Sequence, residues 1–277
     1  MMSTPLSTLT ILTLAANVPG PVAAARLRDL GARVIKVEPP FGDPLAVAGA
    51  DWYADLHRDV AVRVLDLKDG VDRGELDRLL AQADLLLTSN RPSALARLGL
   101  DWQTVHARFS NLCYVAIVGY PGDKAEVAGH DLTYQAAAGM LTPPHMPRTL
   151  LADLAGAERA VQAALALLLA QLRGQGAGFA EVALSDAVDD FTLPWQYGIT
   201  QPGAVLGGGL PGYRLYATAD GWIAVAALEP HFLARLLDAL GLSVADGESL
   251  ATIFAQKSAA TWEAWAEERD LPIAAVK

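Results

Sequence analysis

Apolar and polar residues alternate in blocks along the first two-thirds of the chain, and these blocks predict strands and helices in turn. Compact apolar runs predict strands at residues 8–14, 33–38, 60–67, 84–89, 112–118 and 179–184. Stretches with helical spacing of apolar residues lie between them, at residues 20–31, 69–83, 91–98, 102–109, 132–141 and 154–171. Strands that alternate with helices form parallel sheets covered on both faces. The pattern therefore predicts an α/β domain with a Rossmann-like open parallel sheet.

The pattern changes after residue 190. Residues 201–212 are rich in glycine and proline, which is typical of a linker or mobile loop. Two short strand-like runs then flank Thr218-Ala219-Asp220-Gly221, a strong hairpin signal, and helical patterns follow at 231–240, 250–256 and 259–268. We therefore predict a large α/β domain over residues 1–190, followed by a linker and a small α+β domain over residues 191–277.

Composition and charge limit the class of protein. The chain has 277 residues, of which 52% are hydrophobic and 19% charged, so a sizeable core is expected. Its net charge of −10 argues against nucleic acid or an anionic membrane as the main partner, and an anionic small ligand would need local basic contacts. The longest apolar run, residues 160–172, is too short to span a bilayer, and the first residues lack a signal-peptide pattern. We expect a soluble, cytoplasmic protein.

Several common kinds of site are not predicted. The chain has no Gly-x-x-x-x-Gly-Lys loop, no Gly-x-Gly-x-x-Gly after its first strand and no Gly-x-Ser-x-Gly, which argues against an NTPase, an ordinary dinucleotide site and a serine hydrolase. The single cysteine, Cys113, lies in an apolar run and is predicted to be a buried core thiol. One cysteine excludes an internal disulfide and a cysteine-based zinc site. His130 and His145 lack the spacing of metal ligands, so we predict no metal site.

The main candidate for chemistry is a polar break at Gly129-His130-Asp131, followed by a lone carboxylate, Asp153, in an otherwise apolar run. An isolated Asp in such a run is costly unless something uses it. Asp153 precedes the predicted helix 154–171, where it suits either a plain helix N-cap or a carboxylate that reacts beside backbone N–H groups. A His and an Asp that converge on one site can move a proton or attack a carbonyl group. The residues alone leave these alternatives open.

Short motifs follow one another over nearly the whole chain: Gly20-Pro21, Val34-Ile35-Lys36-Val37-Glu38, Val64-Leu65-Asp66-Leu67-Lys68, Ser89-Asn90-Arg91-Pro92, Gly129-His130-Asp131, Asp153, Ala183-Leu184-Ser185-Asp186-Ala187, Tyr213-Arg214 and Leu228-Glu229-Pro230. Their identity and order resemble the family III CoA-transferases, a group that includes α-methylacyl-CoA racemases and carnitine-dehydratase-like proteins. The resemblance implies that family's fold, an α/β domain plus a small domain with two chains interlocked as a dimer, and acyl-CoA thioesters as substrates. We therefore expect an acyl-CoA substrate and a homodimer.

The resemblance also implies where CoA binds. The positions that match the family's CoA contacts are Leu65, Lys68, Asn90, Arg91, Arg97 and Leu98. Cations suit this role because CoA carries several phosphate charges, although the alternative for each is an ordinary surface cation. Two departures weaken the expected phosphate contacts: Pro39 stands where the family often has a basic residue, and residues 56–60 replace a basic loop.

A third departure concerns the end of the chain. Family members usually continue well beyond the segment that resembles residues 271–276, whereas this sequence stops at Lys277. We expect a small domain that is shortened at its C-terminus, which leaves the interlocking of two chains open.

Members of the family use the two candidate residues in different ways. In transferases, the Asp that matches Asp153 attacks the thioester and carries the acyl group as a mixed anhydride. In racemases, the histidine that matches His130 and the same Asp stand on opposite faces of the substrate α-carbon and exchange its proton through an enolate. His130 favours the racemase, because many transferases have another residue there. The resemblance further implies that Glu229 joins this network, and Asp131 is placed to orient the imidazole.

The sequence thus predicts epimerisation at the α-carbon of a 2-methylacyl-CoA through an enolate. The predicted catalytic residues are Asp153, His130, Asp131 and Glu229, with no cofactor beyond the CoA of the substrate. Two alternatives stay open. One is CoA transfer from an acyl-CoA to a carboxylic acid through an aspartyl anhydride, and the other is a non-catalytic acyl-CoA-binding protein.

Overall fold

The computed structural model describes residues 4–277, which divide into two compact units between Thr192 and Leu193. Over these residues, the first unit contains a parallel sheet of six strands and the second an antiparallel sheet of three. The predicted fold class, a Rossmann-like α/β domain with a smaller α+β domain, is confirmed.

The parallel sheet is built from the apolar runs that predict strands. In the order in which they lie side by side, the strands are β3 (Ala61–Val64), β2 (Arg33–Glu38), β1 (Thr10–Thr13), β4 (Leu85–Thr88), β5 (Cys113–Val118) and β6 (Phe179–Ala183). The chain first adds strands on one side of β1 and then continues on its other side with β4. The direction of winding therefore reverses between β1 and β4, and this reversal is where open α/β sheets bind ligands.

Helices cover both faces of the sheet, and successive strand residues point to opposite faces. Leu85 and Leu87 belong to the apolar core on one face, whereas Leu86 belongs to the core on the other. The first core includes residues of α1 (Pro19–Asp29), α8 (Leu151–Leu172) and α9 (Leu184–Phe191), and the second includes residues of α4 (Gly70–Gln82), α5 (Pro92–Arg97) and α6 (Trp102–Arg108). The other helices of this unit are α2 (Leu45–Ala48), α3 (Ala50–Leu56) and α7 (Asp131–Ala137).

Three of these helices, α2, α3 and α9, are not predicted from the sequence. The first two have 4 and 7 residues, which is too short for a helical period to stand out. Helix α9 begins at Leu184, directly after β6 ends at Ala183, so no glycine or proline marks the change from strand to helix.

The second unit contains the predicted hairpin. Strands β7 (Tyr213–Ala217) and β8 (Trp222–Ala226) pair antiparallel, and the Thr218 N–H donates to the Gly221 carbonyl at 2.9 Å across the turn. Strand β9 (Ile273–Ala275) pairs with the other edge of β8. Helices α10 (Leu193–Gln196), α11 (Pro230–Leu240), α12 (Gly247–Phe254) and α13 (Ala259–Glu267) complete the unit.

Two further observations concern the single cysteine and membrane-spanning helices. Cys113 is buried in β5, and its thiol donates to Gln171 Oε1 at 3.3 Å, so the predicted core thiol is confirmed. Among residues 4–277, no helix is both long enough and apolar enough to cross a membrane.

A buried ion cluster lies where β2 ends. The Lys36 ammonium is 2.5 Å from the Asp43 carboxylate, 2.9 Å from Glu38 and 2.9 Å from His57 Nε2. Oxygen and nitrogen atoms of Glu38, Asp43 and His57 lie within 4.8 Å of one another, a spacing compatible with metal ligands. The ammonium group already lies among them and compensates part of their negative charge, so this is an ion-pair network rather than a cation site.

We expect the Lys36 cluster to contribute strongly to stability, because removing one partner leaves buried charges without compensation. Lys36→Met should lower the free energy of unfolding by about 3–5 kcal/mol. Arg26→Met is the matched control, since Arg26 pairs with Glu158 while more than half of each side chain is exposed, and it should cost less than about 1 kcal/mol. Urea unfolding of both variants measures the difference. Equal losses of unfolding free energy in the two variants would show that the buried Lys36 cluster contributes no more to stability than the exposed Arg26 pair.

Candidate active site

A cavity of about 260 Å³ lies at the carboxyl ends of β1, β4 and β5. Because these strands are parallel, the residues that follow each strand meet at the same edge of the sheet, next to the reversal between β1 and β4. Asn17 follows β1, the run Ser89-Asn90-Arg91 follows β4, and Gly119 follows β5; all of them line the cavity. The parallel order of the sheet therefore assembles this cavity from distant parts of the chain.

The ion cluster at Lys36 supports one wall of this cavity. Asn17 has a φ of +65°, a left-handed conformation that is uncommon for residues other than glycine. Its backbone N–H donates to Asp43 Oδ1 at 3.0 Å, and Asp43 is held in turn by Lys36. The buried charges thus fix the conformation of a residue in the cavity wall.

His130 and Asp153 line the same cavity. His130 is the residue before α7, and its backbone N–H donates to Thr133 Oγ1 at 3.0 Å, which closes the first turn of that helix. Asp153 lies in the first turn of α8. The structure therefore brings together the two residues that the sequence singled out, at the N-terminal ends of two different helices.

Tyr134 is a further residue of the cavity that the sequence analysis did not identify. Its hydroxyl group lies against the backbone of Gly119 and Gly129, and a Cβ atom at either glycine would overlap with the Tyr134 side chain. The glycine of Gly129-His130-Asp131 is therefore needed for close packing beside the histidine. Burial raises the pKa of Tyr134 to about 12, with smaller contributions from Tyr120 and from the charge of Asp153.

The start of α8 differs from its predicted start. The sequence predicts a helix over 154–171, with Asp153 as a candidate N-cap, whereas α8 begins at Leu151 and Asp153 is its third residue. The Asp153 N–H is one of the first-turn groups without a partner inside the helix, and it donates to Asp131 Oδ1 at 3.1 Å. Asp131 thus supplies from another helix the acceptor that an N-cap side chain would provide, so the N-cap interpretation of Asp153 is wrong.

The structure also corrects the detail predicted for Asp131. The sequence places it beside the His130 imidazole as an orienting group. Its carboxylate instead accepts hydrogen bonds from the Asp153 N–H and from Gln135 Nε2, the latter at 2.6 Å, and within residues 4–277 it makes none with the imidazole. The physical reason is that Asp131 is the first residue of α7 and its side chain is buried against the start of α8.

Burial and charge act together on the Asp153 carboxyl group. Burial is the larger cause and the Asp131 charge the smaller one, and together they raise the pKa of Asp153 from 3.8 to about 7. A carboxyl group with a pKa near neutral pH can both accept and donate a proton. This is a property of a general acid and base, and it distinguishes Asp153 from the usual surface aspartate.

A second cavity, of about 650 Å³, lies beside the first and is mostly apolar. Four of the six residues predicted to contact CoA line it: Leu65, Lys68, Asn90 and Leu98. Asn90 lines both cavities, and Arg91 lines the first. Arg97 lines neither of these two and lies in the last turn of α5. The predicted CoA contacts are therefore gathered mainly around two cavities that share Asn90.

Glu126 holds the segment that forms one side of the first cavity. Its carboxylate accepts hydrogen bonds from the Ser93 N–H at 2.6 Å and the Ser93 hydroxyl group at 2.9 Å. These bonds keep the pKa of Glu126 below its usual range, with smaller contributions from Arg91 and Arg97. Because the two residues are 33 positions apart, no local pattern indicates this contact.

Glu229, the last predicted catalytic residue, lies in the second unit. It immediately precedes α11, which begins at Pro230. Its part in the catalytic network stays a prediction.

The chain matches the model of CoA-transferase family III over residues 6–277. The chain belongs to this family. Relatives include the α-methylacyl-CoA racemase of Mus musculus, 32% identical over 91% of this chain and 72% of that protein. They also include a succinate–glutarate CoA-transferase of Agrobacterium fabrum, 30% identical over 90% of this chain and 70% of that protein. These two relatives are enzymes of different kinds, and this chain is an enzyme of the same family.

Solved structures agree with this assignment. A hypothetical protein from Mycobacterium tuberculosis superimposes with a TM-score of 0.86 at 27% identity, covering 100% of this chain and 86% of that chain. A CaiB/BaiF family protein from Brucella suis superimposes with a TM-score of 0.82 at 22% identity, covering 100% of this chain and 85% of that chain, which supports the fold. The match to the family model over residues 6–277 confirms the family resemblance inferred from the motifs.

The raised pKa of Asp153 makes the protein's stability depend on pH. The folded protein binds a proton at Asp153 that the unfolded chain releases near pH 4, so the free energy of unfolding falls as the pH rises from about 4 to about 7. Asp153→Asn removes this loss and should stabilise the protein at pH 8, by up to about 4 kcal/mol, but little at pH 4. Thermal or urea unfolding at both pH values measures the effect.

Asp123→Asn is a suitable control for this experiment, because its side chain is exposed. It should change the free energy of unfolding by a similar small amount at both pH values. If Asp153→Asn behaved in the same way as the control, the Asp153 carboxyl group would not be strained by burial in the folded protein.

Proposed function

We propose that this enzyme epimerises the α-carbon of a 2-methylacyl-CoA, using His130 and Asp153 as its two acid and base groups. One observation carries the proposal: both residues line the same small cavity, His130 from the position just before α7 and Asp153 from the first turn of α8. A 1,1-proton transfer needs two such groups facing one carbon atom, because the proton leaves from one face and returns to the other. The racemase among the relatives supports the same reaction class.

The proposed reaction has two proton transfers, one on each face of the α-carbon. In one direction, the neutral His130 imidazole removes the α-proton, the C–H electrons form the enolate of the thioester, and protonated Asp153 donates its proton to the opposite face. The reverse direction starts with Asp153 ionised and the imidazole protonated. A pKa of about 7 lets Asp153 take either part near neutral pH, which supports this use of the residue. The reaction uses no cofactor beyond the CoA of the substrate.

The two cavities support an acyl-CoA substrate. The first, of about 260 Å³, has room for the reacting end of a thioester but not for a whole CoA molecule. The second, of about 650 Å³, is mostly apolar with Lys68 in its lining, and it suits the adenosine end. Asn90, which lines both, would lie along the connecting part of CoA. Arg91 and Arg97 supply local positive charge for phosphates on a chain whose net charge is −10.

Deuterium exchange tests the proposed reaction. Incubation with a 2-methylacyl-CoA in deuterated water should place deuterium at the α-carbon, as measured by mass spectrometry. His130→Ala and Asp153→Ala should each abolish epimerisation, because one of the two faces then lacks its acid or base. The absence of exchange with every branched acyl-CoA tested would rule out the proposal.

CoA transfer is the second candidate, and it is favoured by the position of Asp153 in the first turn of α8, where backbone N–H groups can stabilise an oxyanion. Transfer relatives in the same family support it as well. This mechanism predicts that hydroxylamine traps the acyl group on Asp153. It also predicts that Asp153→Ala is inactive while His130→Ala stays active, whereas epimerisation predicts that both variants are inactive.

The remaining sequence predictions about the working protein stay predictions. These are the homodimer and the cytoplasmic location. The family match and its racemase and CoA-transferase relatives show an enzyme, so the non-catalytic alternative is wrong.

A further inference from the structure

Gln135 is a buried polar residue that neither the motif nor the cavities account for. It lies on α7, one helical turn after Asp131, and the residue is 2% exposed. It lines neither of the two cavities assigned to the substrate. A buried amide is costly unless its hydrogen bonds are satisfied, so its partners indicate what it does.

The Gln135 amide joins two elements that lead to Asp153. Its Nε2 atom donates to Asp131 Oδ2 at 2.6 Å and to the Thr149 carbonyl at 3.1 Å. Thr149 lies just before α8, which begins at Leu151. One amide therefore ties the end of the segment between α7 and α8 to the Asp131 side chain.

The Asp131 carboxylate connects Gln135 to Asp153. With Oδ2 held by Gln135, the other carboxylate oxygen, Oδ1, accepts the Asp153 N–H at 3.1 Å. Asp131 is 5% exposed, so protein groups take the place of most of the water that would otherwise solvate its charge. If the amide donor were lost, Asp131 would keep a single donor among its described contacts and could turn away from α8.

We propose that Gln135 is a positioning residue: through Asp131, it holds the first turn of α8 and the side chain of Asp153 in the orientation that the reaction requires. This inference rests on the proposed function for its kinetic consequence. Gln135 itself lies outside the cavities and touches no reacting atom. Its effect should therefore fall on the chemical step and leave the binding of CoA unchanged.

Two substitutions of Gln135 separate positioning from packing. Gln135→Leu keeps most of the side-chain volume but removes the donor, and it should lower the rate of α-deuterium exchange at saturating substrate by roughly 10- to 100-fold. KM and the affinity for CoA, measured by calorimetry, should stay close to those of the wild type. Gln135→His retains an N–H donor at a similar reach and should recover most of the rate.

Gln171→Leu is the matched control. Gln171 also donates its amide to a backbone carbonyl, that of Asn111, but from the other end of α8. Its loss should reduce stability without changing the exchange rate. The proposal would be overturned if Gln135→Leu exchanged deuterium as fast as the wild type. It would also be overturned if Gln135→Leu and Gln135→His had equal rates, because the loss would then reflect packing alone.

One further measurement does not depend on catalysis, and it tests the role of Gln135 even if the proposed function is wrong. Hydrogen exchange of the Asp153 backbone amide, followed by NMR, reports the bond to Asp131 directly. Protection of this amide should fall in Gln135→Leu and stay unchanged in Gln171→Leu. If the wild type showed no α-exchange, the proposed reaction would be wrong. The role of Gln135 would then be decided by the protection of the Asp153 amide alone. Unchanged protection in Gln135→Leu would overturn that role.

Discussion

The hydrogen bond from the Asp153 backbone N–H to the Asp131 carboxylate joins the two helices that carry the candidate catalytic side chains. His130 precedes α7, Asp131 begins it, and Asp153 lies in the first turn of α8. The same carboxylate places a negative charge beside the Asp153 side chain and contributes to its raised pKa. One buried group therefore fixes the position of Asp153 and influences its protonation, which are the two properties that acid–base chemistry requires.

This arrangement has a cost in stability. The Asp153 carboxyl group is largely removed from water and faces a like charge, so its ionised form is disfavoured in the folded protein. The rest of the first unit supports the strained site. Apolar residues of the central strands pack on both faces of the sheet, and the Lys36 ammonium anchors Asp43, which in turn holds Asn17 in the cavity wall. The packing of the first unit thus compensates for the unfavourable burial of the Asp153 carboxyl group.

Much of the site follows from sequence pattern plus the geometry of parallel sheets. The apolar runs predict the strands, and parallel strands bring the residues after β1, β4 and β5 to one edge. The motif that contains His130 and the lone Asp153 are visible for the same reason: polar groups stand out in apolar surroundings. The contacts of Gln135, Glu126 and Lys36 are not visible in this way, because each joins residues whose proximity depends on how helices and loops pack.

The sequence by itself determined the α/β class, the family, and the residues with the chemistry to move a proton or attack a thioester. These depend on local periodicity and on residue types at ordered positions. Only the tertiary structure decided what Asp131 does, where α8 begins and why Asp153 titrates near neutral pH. Those properties depend on burial and on which donors and charges lie within a few ångströms, and neighbours in space that are far apart along the chain leave no local pattern.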